Sequence, residues 1–468
     1  MEQFRIIQNQ NITLPEKIKD TFLVDLLKNY SAGINWNISF HNDETTILVG
    51  DATKTILGDN EYVINVTENG VFIGGTDYNA TIRGYVTFLE MIFAYGKSDY
   101  RVKCGEIQGN PPVKFRCVHL CLFPEFTLEN IRKLVRFCGI SKYTHIILET
   151  WGSIKLDTLK ELSWPQGHSK ADIKELIDEA KLLGMKVIPF FQHLGHASLS
   201  RLGYSGKHVV LDQNPELEYM YYPESYGWVW NFKDPDIRKF LKDVREELMD
   251  LFSDSDYFHL GCDESGIKFD TDELASYLNE VNADLKAKGK RAIIWGDMLL
   301  SHDFFPDEKE IQNPLTKEFE WTKYDCNSSV EYANSLLNKL DKDILIADWQ
   351  YNTISQNWAT ARLLKEKGFE VICCPWNLAD ENLNGSISTI TENNLYGLME
   401  TTWNTPLTGR GLGSMMYLGL KASGDHSFKR FDGHVGYIVE RTHTTFRKIS
   451  GKFESYDKCG WHATQVEY

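Results

Sequence analysis

The chain has 468 residues, which predicts two or three domains at roughly 100–200 residues each. Its formal charge is −16 and no block is rich in Lys or Arg, which argues against nucleic acid and anionic membranes as partners. No apolar run reaches the length of about 18 residues that is needed to span a bilayer. The nine cysteines contain no pair with zinc-binding spacing, so we predict reduced thiols, no metal and no cofactor.

The first residues, MEQFRIIQNQ, contain no cationic segment followed by an apolar core, so no secretory signal is visible. Together with the cysteine pattern, this predicts a cytoplasmic protein. A periplasmic or secreted protein is the alternative if a signal has been removed.

Residues 1–110 are predicted to form a small α/β domain. Short apolar runs at 46–49, 62–66 and 70–73 read as strands, and 80–95 carries apolar residues at helical spacing. The segment Gly109-Asn110-Pro111-Pro112 is the expected linker, because paired prolines continue neither helix nor strand.

Residues 111–468 alternate short apolar strands with amphipathic helices. Eight strands are predicted, at 115–122, 144–149, 186–192, 257–262, 291–295, 344–349, 370–375 and 395–403. The helices between them include 127–138, 170–183, 236–252, 271–288, 329–340 and 356–367. The strands lack strict polar alternation, which is typical of parallel strands buried on both faces. A (β/α)8 TIM-type barrel is the simplest arrangement, with a doubly wound open sheet as the alternative.

Active sites in such barrels lie at the carboxyl ends of the strands. Polar and aromatic residues stand at nearly every predicted strand end, namely Glu149, His193, His196, Asp263, Glu264, Trp295, Asp297, Trp349, Tyr351, Trp376 and Trp403.

The most informative run is 257–264, an apolar strand that ends at two adjacent carboxylates, Asp263 and Glu264. Two acids in one apolar site push their pKa values apart, so that one stays charged while the other holds a proton near neutral pH. A carboxyl group that holds a proton near neutral pH can protonate a leaving group. A strand followed by a solvated acidic loop is the alternative interpretation of the pair alone.

The barrel region resembles the family-20 glycoside hydrolases, the β-N-acetylhexosaminidases. His259-Leu260-Gly261-Cys262-Asp263-Glu264 is similar to that family's His-x-Gly-x-Asp-Glu signature, and Gly195-His196 to its Gly-His after the third strand. Arg116 matches its sugar-binding first-strand Arg, and Trp295, Trp349 and Trp403 match its pocket tryptophans. The sequence around Glu149 and Trp295 looks closer to the hexosaminidase D and short bacterial branch.

Other positions depart from the family pattern. Glu149-Thr150-Trp151 replaces an Asp-Asp-Gln, and Cys121 replaces a first-strand Asp. Trp403-Asn404-Thr405 replaces a Trp-x-Glu that grips distal hydroxyls. Pro375-Trp376-Asn377 stands where a tyrosine is expected, and Tyr351 is the nearest substitute.

The resemblance implies substrate-assisted catalysis, in which the 2-acetamido oxygen of the sugar attacks its own anomeric carbon. Glu264 would be the general acid and then the base, with its pKa raised by burial and by Asp263. Asp263 would accept the acetamide N–H. Tyr351 would donate to the acetamide oxygen.

The remaining expectations concern sugar binding. Arg116 and His196 would contact the sugar, and either Glu149 or Asp297 would replace the missing hydroxyl-binding acid. Four tryptophans, Trp295, Trp349, Trp376 and Trp403, would wall the pocket.

The sequence therefore predicts an exo-acting retaining β-N-acetylhexosaminidase whose partners are glycans or glycoconjugates containing N-acetylhexosamine. Two alternatives stay open. One is a catalytically silent sugar-binding barrel, and the other is a metal-dependent barrel hydrolase that uses His193, His196, Asp263 and Glu264. The preference between GlcNAc and GalNAc and the oligomeric state are not determined by the sequence.

Overall fold

The computed structural model describes residues 2–95, 100–122, 126–197, 215–225, 227–306, 310–311, 321–322, 324–403 and 409–425, together with Thr442, Thr445 and Ile449. Its N-terminal strands are β1 (Gln3–Arg5), β2 (Gln10–Pro15), β3 (Trp36–His41), β4 (Thr46–Gly50), β5 (Tyr62–Val66), β6 (Gly70–Gly75), β7 (Arg101–Lys103) and β8 (Gly105–Gly109). Six of them form one sheet in the order β3-β2-β4-β6-β5-β8, and β1 pairs with β7.

Two helices accompany this sheet, α1 (Phe22–Tyr30) and α2 (Tyr78–Tyr95), and α2 packs on β5 and β6. The predicted strands at 46–49, 62–66 and 70–73 correspond to β4, β5 and β6, and the predicted helix corresponds to α2. Helix α1 and the strands β1, β2, β3, β7 and β8 were not predicted. Strand β3 alternates partly buried and exposed residues at the sheet edge, so it has no continuous apolar run to reveal it.

The second part of the chain is a closed barrel of eight parallel strands. These are β9 (Phe115–Cys121), β10 (His145–Glu149), β11 (Lys186–Phe190), β12 (Tyr257–His259), β13 (Arg291–Trp295), β16 (Leu345–Trp349), β17 (Glu370–Cys374) and β18 (Gly397–Thr401). A short antiparallel pair, β14 (Glu310–Ile311) and β15 (Trp321–Thr322), lies between the fifth and sixth barrel strands. The TIM-type barrel prediction is confirmed, and the open-sheet alternative is wrong because β18 pairs with β9.

Helices cover the outside of the barrel. They are α3 (Leu128–Ile140), α4 (Lys170–Leu182), α5 (Pro235–Leu251), α6 (Thr271–Ala287), α7 (Val330–Lys339), α8 (Ala359–Glu366), α9 (Asp380–Asn393) and α10 (Gly409–Ala422). Local sequence fixes several starts: Ser169 and Asp172 form a capping box at α4, and Asp270 caps α6. Helices α9 and α10 were not among the predicted helices. Four glycines lower the helix propensity of α10, and burial of its apolar side chains compensates.

Side chains alternate between the barrel interior and the helix layer. The interior forms its own core, which includes Phe115, Cys117, Ile147, Phe190 and Met399, while the neighbouring strand residues Val118 and Leu120 belong to the outer core. This alternation places His119 and Cys121 inside the barrel and Arg116 outside. Among the described helices, none combines the length and apolar character needed to cross a bilayer.

Candidate active site

The chain turns sharply after β12, and this turn carries the two predicted catalytic carboxylates. The strand ends at His259, and Gly261, Cys262 and Glu264 adopt φ values of +70°, +74° and +43°. A Cβ on Gly261 would lie 1.8 Å from Gln192 Oε1, so only glycine fits there. Left-handed backbone costs a non-glycine residue about 1–2 kcal/mol, and such strain clusters at functional sites. The turn is what brings adjacent carboxylates to one end of the barrel.

Asp263 and Glu264 occupy different environments although they are neighbours in sequence. Asp263 is buried, whereas 46% of the Glu264 side chain is exposed. His196 Nε2 lies 3.3 Å from Asp263 Oδ2 and 3.2 Å from Glu264 Oε2, so one imidazole bridges both acids. We expected burial to raise the pKa of Glu264, but the structure buries Asp263 instead. Burial raises the pKa of Asp263, a rise that His196 opposes and the neighbouring Asp297 charge reinforces.

Asp297 holds the backbone at Glu264. Its Oδ2 accepts the Glu264 backbone N–H at 3.1 Å and Asn327 Nδ2 at 2.7 Å, and its Oδ1 accepts Trp349 Nε1 at 3.2 Å. Burial raises the pKa of this carboxyl, and the hydrogen bonds oppose that rise. Both oxygens are already bonded to protein groups, which gives Asp297 a positioning role. Binding of a sugar hydroxyl by Asp297 stays a prediction.

Glu149 ends β10 and is fully buried inside the barrel. Its Oε2 lies 2.9 Å from His119 Nε2 and 3.6 Å from Cys121 Sγ, and its Oε1 accepts Gln192 Nε2 at 3.1 Å. The same Gln192 nitrogen lies 3.4 Å from Asp263 Oδ1. Gln192 therefore connects Glu149 to Asp263, although the two acids come from different strands.

Aromatic side chains also gather at this barrel end. Ring centroids are 5.8 Å apart for Trp295 and Trp403, and 5.0 Å apart for Trp349 and Tyr351. Trp376 lies 5.5 Å from Tyr351, whose hydroxyl accepts Trp403 Nε1 at 2.7 Å. The structure thus brings together the five aromatic residues of the predicted pocket. The substitutions at 404 and 405 lie outside the described residues.

The structure contradicts the sugar-binding role predicted for Arg116. Arg116 is the second residue of β9, so it lies at the amino end of the barrel, and its side chain points outward and is buried. Its Nε donates to Lys142 O at 2.9 Å and its Nη1 to Val113 O at 2.8 Å, while Nη2 is 4.0 Å from Glu61, which directly precedes β5. The guanidinium therefore joins the two parts of the chain, at the far end of the strand from the site.

His193 is also separated from the carboxylates. Its Nδ1 lies 2.7 Å from Phe191 O, and Arg245 Nη1 donates to its Nε2 at 3.1 Å. Burial and the Arg245 charge lower the pKa of His193 to about 3, so it is neutral. A cation bonded to Nε2 leaves no lone pair for a metal. Among the described residues, the four-residue metal set proposed from sequence does not converge.

Several residues of the site were missed by the sequence analysis. Trp228 Nε1 donates to Glu264 O at 2.6 Å, and its ring lies 4.2 Å from that of His196. Asp325 Oδ2 accepts the Tyr351 backbone N–H at 3.1 Å, and burial raises the pKa of Asp325 to about 7. These two come from connecting segments without periodicity. His119 could have been found, because it lies two residues before Cys121 and therefore shares its face.

The arrangement can perform proton transfer beside a charge-stabilising acid. Glu264 is reachable from solvent, and Asp263 next to it is shielded, held by His196 and Gln192. Donors from Trp349 and Asn327 fix Asp297, which fixes the Glu264 backbone. Two carboxylates in unlike environments at one barrel end suit acid–base chemistry on a polar substrate.

Comparison with known proteins points the same way. A family model described as "Glycosyl hydrolase family 20, catalytic domain" matches residues 140–380. Beta-hexosaminidase subunit A2 of Dictyostelium discoideum is 24% identical over 303 residues, covering 59% of this chain and 53% of that protein. Lacto-N-biosidase of Bifidobacterium bifidum is 21% identical over 281 residues, covering 55% of this chain and 24% of that protein. The matched part is thus about half the length of the hexosaminidase subunit and a quarter of the lacto-N-biosidase.

Solved structures show the same fold. The β-N-acetylhexosaminidase of Streptomyces coelicolor A3(2) has a TM-score of 0.65 at 15% identity, covering 95% of this chain and 93% of that chain. An exo β-N-acetylglucosaminidase of Vibrio harveyi, solved in complex with N-acetylglucosamine, has a TM-score of 0.66 at 14% identity, covering 96% of this chain and 75% of that chain.

Proposed function

Because the chain belongs to glycosyl hydrolase family 20, we propose that it is an exo-acting, retaining β-N-acetylhexosaminidase. One observation carries the proposal: Asp263 and Glu264 share one barrel end but differ in burial, and His196 bridges them. The substrates would be glycans or glycoconjugates with a terminal β-linked N-acetylhexosamine. The similarity to the enzymes of Dictyostelium and Vibrio supports this class of sugar.

In the first step, Glu264 protonates the glycosidic oxygen as the bond from that oxygen to the anomeric carbon breaks. The acetamido oxygen of the same sugar attacks the anomeric carbon and closes an oxazolinium ring. Glu264, now a carboxylate, then takes a proton from water as the water opens that ring. Two inversions at the anomeric carbon give net retention.

The exposure of Glu264 suits a group that must meet the leaving part of the substrate. A cavity of about 250 Å³ adjoins it, lined by Ser265, Lys268, Met298, Asn327, Ser328 and Tyr332. A leaving group seated there would exclude water from Glu264 and so desolvate its carboxyl group. Desolvation favours the protonated acid, as the first step requires.

Asp263 accepts the acetamide N–H and stabilises the positive charge that develops on the ring. Its burial makes this contact strong, because a charge–charge interaction weakens as the local dielectric rises. The same burial raises the pKa of Asp263. Donation from the acetamide N–H favours the carboxylate form, so substrate binding itself restores the charge.

The experiment compares kcat/KM for the nitrophenyl β-glycosides of GlcNAc, GalNAc, glucose and galactose. We expect activity on both N-acetyl sugars. The plain glycosides should react at least about a thousandfold more slowly, because a well-oriented intramolecular nucleophile has an effective molarity of about 10⁵ M or more. Glu264→Gln, purified in parallel, controls for a contaminating hydrolase.

Two results would contradict the proposal. Efficient cleavage of the β-glucoside would show that the nucleophile does not come from the acetamido group. Inactivity on all four substrates, combined with calorimetric binding of GlcNAc, would favour a sugar-binding barrel without turnover.

A further inference from the structure

Three side chains with metal-binding atoms converge inside the barrel, beneath the proposed sugar site. His119 Nε2 lies 2.9 Å from Glu149 Oε2, Cys121 Sγ lies 3.6 Å from the same oxygen, and Cys121 Sγ lies 4.0 Å from His119 Nε2. All three side chains are buried. Among the described residues, this is the one group of His, Cys, Asp and Glu whose ligand atoms come together in this way.

Strand geometry explains the convergence. His119 and Cys121 are two residues apart on β9, so both side chains point into the barrel. Cys121 pairs in register with Glu149 on the neighbouring strand β10, and His119 pairs with Ile147. The three potential metal ligands therefore occupy neighbouring positions of two hydrogen-bonded strands, and all three side chains point into the barrel. The barrel backbone holds them in place, so a metal would not have to order a loop.

We propose that His119, Cys121 and Glu149 form a binding site for Zn²⁺ or for a divalent metal ion with the same ligand preference. Such a site is a function additional to the proposed hydrolase activity. Zn²⁺ accepts imidazole nitrogen, thiolate and carboxylate together. In a tetrahedral site, ordinary bond lengths put N and O about 3.4 Å apart, S and O about 3.6 Å, and S and N about 3.6 Å. The observed separations differ from these by about half an ångström at most, which side-chain rotation supplies.

The charges also suit a dication. Glu149 Oε2 is the common acceptor for His119 Nε2 and for the Cys121 thiol. Metal binding would displace the thiol proton and shift the imidazole proton of His119 from Nε2 to Nδ1, and thiolate plus carboxylate would then neutralise the dication. A neutral site avoids most of the cost of burying a charge. Because one proton leaves, the affinity should rise with pH, by up to about tenfold per unit while the thiol is protonated.

The site would be connected to the proposed chemistry. Glu149 Oε1 accepts Gln192 Nε2, and that nitrogen also faces Asp263. Trp403, one of the predicted pocket tryptophans, packs against the cluster, with its ring 4.8 Å from that of His119. Three protein ligands leave a fourth coordination position, which in zinc sites of this kind is taken by water or by a substrate oxygen.

The first test uses the intact, tag-free chain and Co²⁺, which reports its own ligands by absorption. One equivalent of Co²⁺ should produce a thiolate-to-cobalt charge-transfer band in the near ultraviolet and the visible bands of tetrahedral cobalt. Cys121→Ser should abolish the charge-transfer band. Cys117→Ser, on the same strand and face but away from the cluster, should retain it, as should Cys459→Ser, which alters a cysteine outside the described residues.

The second test needs no variant, so it holds even if a substitution in the barrel prevents folding. X-ray absorption of the Zn²⁺-loaded wild-type chain should show one sulfur at about 2.3 Å and nitrogen or oxygen ligands at about 2.0–2.2 Å. A shell without sulfur, no thiolate band at one equivalent of Co²⁺, or a band that persists in Cys121→Ser would each overturn the proposal. None of these readouts depends on hydrolase activity, so the metal site and the proposed function can fail separately.

Discussion

The two ends of the barrel both bury charged side chains, but they balance the charges differently. At the amino end, cations and anions alternate across the junction with the N-terminal sheet. Lys142 pairs with Asp425, Arg83 pairs with Glu61, and Arg116 donates to two backbone carbonyls. Burial and the nearby Arg116 charge lower the pKa of Lys142 well below its usual range, and the Glu61 carboxylate opposes that lowering. Two further hydrogen bonds cross the junction and hold the two parts of the chain together: Lys142 Nζ donates to Thr87 Oγ1 of α2, and Arg83 Nη1 donates to Gly184 O.

At the carboxyl end, acids outnumber the cations that face them. Asp263 is surrounded by the carboxylates of Asp297, Glu264 and Glu149, and His196 is the neighbour that lowers its pKa. Uncompensated buried acids titrate near neutral pH, which is what acid–base chemistry requires. Buried charges are therefore paired where the barrel meets the N-terminal sheet, whereas buried acids are left in excess at the carboxyl end, where the candidate active site lies.

The largest expected effect is that of Glu264→Gln. In the proposed mechanism Glu264 supplies the proton for the leaving group, so kcat/KM for an unactivated β-GlcNAc substrate should fall by about 10²–10⁴-fold. A nitrophenyl substrate should lose less in its first step, because its leaving group needs less protonation. The melting temperature should stay near that of the wild type, since the side chain is half exposed. Wild-type rates of the variant on the unactivated substrate would contradict the assignment of Glu264 as the general acid.

Asp263→Asn should have the next largest effect. Losing one preorganised electrostatic contact costs about 10²–10³-fold in kcat. A thiazoline that mimics the cyclised intermediate should inhibit the wild type strongly and the variant weakly, which a purely structural role would not produce. His193→Gln is a suitable control, because His193 is buried nearby but faces Arg245. Equal inhibition of wild type and Asp263→Asn would contradict the acetamide role.

Much of this carboxyl end could be predicted from the sequence. Parallel strands buried on both faces leave continuous apolar runs, so all eight barrel strands were located, and with them the residues at their ends. The sequence of one strand does not determine which of its residues pair with which residues of the neighbouring strand. For that reason Cys121 was treated as a lost aspartate, although it is the neighbour of Glu149 across β9 and β10. Trp228 lies in a connection without periodicity, and only the tertiary structure brings it to Glu264.

The error at Arg116 has a different origin. A motif match gave the residue type, but its position within the strand was not weighed. The second residue of a barrel strand lies at the amino end, opposite the active site. The exposure of Glu264 could not be predicted either, because it depends on how the segments around the barrel end pack.

Substitution of Arg116 tests the junction directly. Arg116→Gln removes the donors to Lys142 O and Val113 O, and each unsatisfied buried group costs about 1–3 kcal/mol. We expect the free energy of unfolding, measured with urea, to fall by about 2–5 kcal/mol. The kcat/KM of the folded variant should equal that of the wild type. A loss of kcat/KM with unchanged stability would instead restore the sugar-binding role.

The smallest expected effect is that of substituting Glu400. Its buried carboxyl group, on β18, belongs neither to the junction at the amino end of the barrel nor to the site at the carboxyl end. Tyr143 donates to its Oε2 at 2.6 Å, and burial raises its pKa to about 7. Its side chain points into the helix layer, as does that of its neighbour Leu398, so a raised pKa by itself does not mark a catalytic group.

Glu400→Gln separates burial from function through the pH dependence of stability. The folded chain keeps the Glu400 proton up to about pH 7, whereas the unfolded chain loses it near the ordinary pKa of 4.5. The folded state therefore binds more protons between these values, and stability falls as pH rises through that window. Glutamine cannot ionise, so the variant should gain stability relative to the wild type as pH rises from 5 to 8, with kcat/KM unchanged. Melting temperatures measured across this range should diverge for Glu400→Gln and stay parallel for Glu392→Gln, an exposed position of α9. If the melting temperatures of Glu400→Gln and the wild type differ by the same amount at all pH values, Glu400 is ionised in the folded chain. The barrel would then bury an unpaired negative charge at Glu400, as it does at its carboxyl end.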